Sequence, residues 1–158
     1  MQVVDQVIQT LREIAQTEVM PRFLRVGSTR KSDGTLFTEA DLATQQALAR
    51  RLPDILPYPV LGEEMTPEEQ HALWEANPDG LWVVDPIDGT TNFIHGLPYF
   101  AISVALMRHG RSELGVIYNP VANEMFYARR GSGAYMNGIR LPLKAAPASM
   151  GDTIAAVE

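Results

Sequence analysis

An α+β fold, or a layered α/β sandwich, is what the sequence predicts, and three observations carry it. Apolar residues recur at helical spacing near the N-terminus, short apolar runs bounded by turn residues follow, and the second half alternates like an antiparallel sheet. Helices segregated from a sheet of mostly sequential strands define that class.

Taken in order, Val4, Val7, Ile8, Leu11, Ile14 and Ala15 form one apolar stripe, which predicts a helix ending or kinking near Pro21. Arg25 to Phe37 (RVGSTRKSDGTLF) breaks the pattern with glycines, serines and an Asp-Gly pair. This is the composition of a mobile loop, and long loops in compact domains are often functional. Thr38-Glu39-Ala40-Asp41 places a capping residue three positions before an acid, which starts a second helix that Pro53 is expected to end. Ala40, Ala43, Ala47 and Leu48 supply its buried face. Pro59 to Gly62 reads as a strand, Pro67 to Ala76 as a polar helix with proline in its first turn, and Leu81 to Val84 as a second buried strand. Tyr99 to Met107, Gly115 to Tyr118, Glu124 to Ala128 and Ala134 to Met136 then form a meander. Arg108 to Arg111 and Asn119-Pro120 supply its first two reversals. No internal repeat or low-complexity tract interrupts the chain.

With 158 residues, 46% hydrophobic and 20% charged, the chain has enough apolar surface to bury a core as one globular unit. The absence of cysteine excludes disulfides, zinc–thiolate sites and a cysteine nucleophile, so any metal must bind through oxygen or histidine. A formal net charge of -6 repels a phosphodiester backbone, which argues against nucleic acid as the main ligand. The longest apolar stretches fall far short of the roughly 20 residues of a membrane-spanning helix. The first residues lack the layout of a signal peptide, which makes the cytoplasm the default location and a membrane partner unexpected.

The chemistry concentrates in Leu81 to Phe93 (LWVVDPIDGTTNF), where a buried strand delivers Asp85 at its end and Asp88 follows three residues later. Pro86 prevents the strand from continuing in ladder, and Asp88-Gly89-Thr90 reads as a helix start, so the turn can swing both carboxylates toward one point. Gly89 and Thr90 present backbone N–H groups suited to phosphate. Asp-Pro-x-Asp-Gly is equally a good β-turn followed by a helix cap. What favours the functional reading is Gly62-Glu63-Glu64, just after the other predicted strand, which offers acids at the same sheet edge. Three such carboxylates repel one another and call for cations. Oxygen-only donors select hard ions, of which Mg²⁺ suits a site that keeps waters and accepts a substrate phosphate. Two ions would reduce the five negative charges of three carboxylates and a phosphate dianion to one. Asp41 is by spacing the acid of a capping box, Thr90 a cap or packing residue that could also orient a water, and Lys31 a solvated loop charge useful beside phosphate. His71, His95 and His109 are isolated and receive no catalytic role.

Glu63-Glu64 within GEE, DPIDGTTNF at Asp85 to Phe93, and Lys31-Ser32-Asp33 through Thr38-Glu39-Ala40-Asp41 resemble, in order, the motifs of the inositol monophosphatases and the wider magnesium-dependent, lithium-sensitive phosphatases. Phe37 stands where valine is usual. TTNF followed by His95-Gly96-Leu97-Pro98-Tyr99 is similar to the inositol monophosphatase branch. The resemblance implies an αβαβα sugar-phosphatase-like sandwich, here its N-terminal portion with a mainly antiparallel sheet. It implies Mg²⁺ held by Glu63, Asp85 and the Ile87 carbonyl, with Asp85 bridging to a second ion also held by Asp88. Asp41 and Thr90 would position the attacking water, Gly89 and Thr90 would hold the phosphate oxygens, Glu64 would orient ligands, and Lys31 would lie beside a weaker third ion. The reaction implied is hydrolysis of inositol monophosphate, or a related sugar or polyol phosphate, by a metal-activated water. Fructose bisphosphate and 3'-phosphonucleotides are the sister substrates, and family members are commonly homodimers. The family domain is considerably longer and places a further metal-binding aspartate in its second half. The chain is therefore expected to be the N-terminal part of that domain, with Asp152 to Glu158 entering another strand. A non-catalytic metal-binding or protein-interaction role, akin to the RNA-polymerase-associated regulation attributed to some bacterial members, is the competing expectation.

Overall fold

A computed structural model describes residues 2–25, 29–30 and 36–142. Helix α1 (Gln2–Ile14) buries Val4, Val7, Leu11 and Ile14 and runs into a π-helical turn, Ala15–Val19, whose wider spacing shows in the 2.8 Å bond from Met20 N–H to the Ala15 carbonyl. Two short strands, β1 (Thr29–Arg30) and β2 (Leu36–Phe37), pair antiparallel inside the segment expected to be loop. Lys31 and its neighbours up to position 35 lie outside the described residues, as does the strand entry expected at Asp152 to Glu158.

Helix α2 (Glu39–Ile55) begins at the expected capping box: Thr38 Oγ1 accepts from Ala40 N–H, and Asp41 reaches back to Thr38. Its end corrects the sequence reading, because Pro53 lies inside the helix rather than stopping it. Proline removes one bond to the preceding turn. The turn nevertheless closes through the 3.2 Å bond from Leu56 N–H to the Leu52 carbonyl, with the Leu52 side chain anchored in the core. Ala43 is only partly buried, its expected place being taken by Thr44 and Leu52.

The sheet has seven strands in sequential order: β3 (Val60–Gly62), β4 (Leu81–Asp88), β5 (Ala101–Arg108), β6 (Arg111–Asn119), β7 (Glu124–Arg129), β8 (Gly133–Met136) and β9 (Ile139–Arg140). Only β3 and β4 run parallel, and α3 (Pro67–Ala76) makes that crossover with the predicted bounds. The last strand, β9, was not expected. Strand β4 extends four residues beyond Val84, a second correction. Pro86 does not end it. Instead the register slips from Asp85↔Ser103 to Asp88↔Ala101, so Pro86 and Ile87 occupy a bulge that absorbs the missing N–H. Tyr99 and Phe100 precede β5 rather than joining it. The β5–β6 hairpin turns through His109 and Gly110, both at positive φ, as a two-residue hairpin of right-handed twist favours.

The first two helices cover one face of the sheet. Trp82, Val84, Ile102, Val104, Leu114, Val116 and Met125 bury against Val7, Leu11, Ala47 and Leu48 there. On the opposite face, Val83, Ala105, Gly115, Ala128 and Ala134 align across five strands, with Ile117 beside them 44% exposed.

Candidate active site

Glu63, just past β3, and Asp88, at the end of β4, both act on Asp85 inside β4. Parallel pairing of Gly62 with Val84 puts the next residue of each chain segment, Glu63 and Asp85, side by side, and Glu63 N–H bonds the Val84 carbonyl at 3.2 Å. The β4 bulge then returns Asp88 toward the same point. Asp85 is half-buried. Burial foremost, then the charges of Glu63 and Asp88 and a hydrogen bond with Glu63, push its carboxyl up to about 7, against the lowering effect of the Ile87 N–H. That N–H donates to Asp85 Oδ1 at 3.1 Å.

Behind these acids, on α2, stands Asp41, fully buried. Its Oδ2 accepts from Thr38 N–H at 2.9 Å and from the Thr38 hydroxyl at 2.6 Å, while Oδ1 lies 3.3 Å from Thr90 Oγ1. The Thr90 hydroxyl is also 2.9 Å from the Ile87 carbonyl. With a single proton to give, it can serve Asp41 or Ile87 but not both. The expected capping role of Asp41 occupies one oxygen and leaves the other facing Thr90.

Thr90 opens α4 (Thr90–Ile94), whose N-cap Gly89 has φ 86. A Cβ at Gly89 would come within 3.1 Å of the Tyr99 carbonyl, so both conformation and space require glycine here. Under this turn, Phe23, Phe93 and Phe100 pack as a trio with ring centroids 4.9 to 5.4 Å apart. The trio was not foreseen, since it joins three separate segments. Asn92 Nδ2 holds the Tyr99 carbonyl at 2.8 Å and fixes the loop between α4 and β5.

Glu64 sits beside Glu63, its backbone N–H bonded to Gln45 Oε1 at 3.0 Å. Gln45 and Gln70 were missed in the sequence; the signal available for Gln45 was its position four residues after Asp41, on the same helix face. His95 Nδ1 lies 2.8 Å from the Thr91 carbonyl, and His109 pairs with Asp79 at 3.7 Å at the far end of the sheet. Among the described residues, no three Asp, Glu or His side chains form a group that could hold a metal ion as they stand. The donor chemistry nevertheless suits Mg²⁺, which keeps most of its waters and asks for only one or two carboxylates. Asp85, pressed by two acids, is where a cation would relieve the most repulsion.

The model of the inositol monophosphatase family matches residues 1–157. The chain belongs to the inositol monophosphatase family. It is 41% identical over 114 residues to the Nus factor SuhB of Pasteurella multocida, which covers 72% of this chain and 41% of that protein. It is 38% identical over 136 residues to the fructose-1,6-bisphosphatase/inositol-1-monophosphatase of Thermotoga maritima, covering 85% of this chain and 50% of that one. Among solved structures, an IMPase/NADP phosphatase complexed with Mg²⁺ and phosphate superposes with a TM-score of 0.75 at 27% identity, over 88% of this chain and 52% of the other. The chain thus spans about half the length of the family members it matches. The α+β fold expected from the sequence is that of this family, and a phosphatase is the family's activity.

Proposed function

We propose that the protein containing this chain is a Mg²⁺-dependent phosphatase that hydrolyses a small phosphorylated polyol, inositol monophosphate or a related sugar phosphate, and that residues 1–158 are the first part of its domain. The observation that carries the reading is the parallel register of β3 and β4, which sets Glu63 beside Asp85, with Asp88 returned by the bulge. Glu63, Asp85, Asp88 and the Ile87 carbonyl would hold two Mg²⁺, and Lys31 would stand near a weaker third. Bound there, the ions would offset the carboxylate and phosphate charge and acidify water.

The chain's own residues do the remaining work. When Thr90 donates to Asp41, its oxygen lone pairs are free to accept a hydrogen bond from the attacking water, which would orient that water toward the phosphorus. Asp41, pinned by Thr38, keeps Thr90 in that orientation. The backbone N–H groups of Gly89 and Thr90 would receive the phosphate oxygens as charge shifts onto them in the transition state. Glu64 acts one step back, orienting its neighbour. Water attack yields inorganic phosphate and the free alcohol, with no covalent enzyme intermediate. The second half of the domain would complete the metal site and recognise the polyol, and the whole protein would pair as a homodimer.

Phosphate release from inositol 1-phosphate by the full-length protein, with Mg²⁺ and then with EDTA, tests this; release that ignores EDTA would end the metal assignment. Fructose 1,6-bisphosphate and NADP, a 2'-phosphonucleotide, belong in the same assay, since one relative is named for the first and a structural neighbour for the second; a 3'-phosphonucleotide, the sister substrate implied by the sequence, completes the set. A second reading, a regulatory protein without turnover, draws on the relatives named Nus factor. It predicts Mg²⁺ binding without hydrolysis of any of these esters.

A further inference from the structure

The turn that presents Glu63 is held by two glutamines from two different helices. Gln45 Oε1, from α2, accepts from the Glu64 N–H at 3.0 Å. Gln70 Nε2, from α3, donates to the Gly62 carbonyl at 3.0 Å and the Glu63 carbonyl at 3.2 Å. Glu63 N–H is meanwhile taken by β4 at the Val84 carbonyl. The peptide groups on both sides of the Glu63 Cα are therefore fixed, although Glu63 itself is exposed and water could have satisfied them.

Gly62 makes this arrangement possible. Its φ is not in the left-handed region, so the requirement for glycine is one of space: a Cβ would fall 2.1 Å from Gln45 Oε1 and 2.3 Å from its Cδ. Gln45 lies where that side chain would be. Because Gln45 follows Asp41 by about one helical turn, the same rigid helix carries the buried acid that faces Thr90 and the amide that sets the Glu63 turn.

We infer that Gln45 and Gln70 are positioning residues for Mg²⁺ binding, fixing the Gly62–Glu63–Glu64 backbone so that the Glu63 carboxylate is delivered to Asp85, and that Gly62 exists to admit Gln45. The inference rests on the metal reading above and names residues that reading does not use. Their amides touch neither metal nor substrate. They act through Glu63, as outer partners of metal ligands do.

The test is Mg²⁺ titration by calorimetry of the full-length protein, beside melting curves in EDTA, for Gln45→Ala, Gln70→Ala, Gly62→Ala, the Gly62→Ala/Gln45→Ala double variant and Gln45→Glu. Gln45→Ala and Gly62→Ala should each weaken Mg²⁺ binding about tenfold while the EDTA melting curve barely moves. Gln70→Ala should act in the same direction. The double variant should be no worse than either single, because both remove one contact and the Cβ then has room. Gln45→Glu keeps an acceptor for the Glu64 N–H and should retain most of the affinity. Unchanged Mg²⁺ affinity in the alanine variants, or losses that multiply in the double variant, overturns the inference while leaving the metal reading intact. Affinity that falls only in proportion to melting temperature overturns it equally. Absence of Mg²⁺ binding by the unaltered full-length protein overturns the metal reading and this inference with it.

Discussion

Asp85 is held where burial and two neighbouring acids all oppose its ionisation, and this gives the metal-free protein a pH signature. Its folded pKa, about 7, lies above the 3.8 of an aspartate in an unfolded chain, so the folded state binds the proton more tightly. The stability linked to that proton is present below the unfolded pKa and is lost as pH rises toward about 7. In EDTA, the wild-type melting temperature should therefore fall between about pH 4 and pH 7 by more than that of Asp85→Asn, which has no such proton to lose. Above pH 7 the variant should melt higher than wild type in EDTA, and it should lose the stabilisation that Mg²⁺ confers; equal pH slopes would contradict the crowding of Asp85. Thr90→Ala removes the hydroxyl between Asp41 and Ile87. Steady-state kinetics on the full-length protein should show kcat lower by about two orders of magnitude, with the Mg²⁺ requirement unchanged. At this scale, Asp41, Glu63, Asp85 and Asp88 were legible because acids beside strand ends and caps stand out in a line of sequence. Gln45 and Gln70 were not, because an amide's partner across two helices leaves no local spacing. Lys31 lies outside the described residues.

The elements that carry these side chains owe their shape to a few exceptions to regularity. Gly89→Ala places a Cβ at φ 86 against the Tyr99 carbonyl, and urea denaturation should show a loss of about 1–2 kcal/mol or more. Phe93→Ala empties the centre of the aromatic trio under the same turn and should cost about 3–5 kcal/mol by the same measurement. A much smaller loss would mean that the trio does not support α4. Local signals served the sequence reading well where capping is local: the Thr38–Asp41 box and the Pro67–Ala76 helix stand where their residues place them. They failed at Pro53 and Pro86. Both prolines were expected to stop an element, and both were overridden by tertiary structure, Leu52 anchoring the last turn of α2 and β5 pairing on either side of the β4 bulge.

For the molecule as a whole, one face of the sheet is buried by helices while the other presents the row Val83, Ala105, Gly115, Ala128 and Ala134, with Ile117 and Phe126 alongside. Small residues in line across five strands leave room for close backbone approach, and none of the row is fully buried among the described residues. On the proposal that the domain continues beyond residue 158, that face is where further polypeptide packs. Residues 1–158 alone should then bind an apolar-surface dye such as ANS and self-associate with concentration in sedimentation, and a chain extended through the second half should do neither. Dye binding that is equal in both would contradict this. The sheet was legible as a meander from alternation, but the cover of its second face was not, since alternation says which residues share a face and not what covers it. The central claim, that Glu63, Asp85 and Asp88 form the metal-dependent phosphatase site, is tested most directly by phosphate release from inositol 1-phosphate by the full-length protein and its Asp85→Asn variant, with Mg²⁺ and with EDTA. The account predicts release only with Mg²⁺ and a loss of about three orders of magnitude in the variant, roughly 4 kcal/mol in the barrier; release that persists in EDTA, or that the variant leaves unchanged, would contradict it.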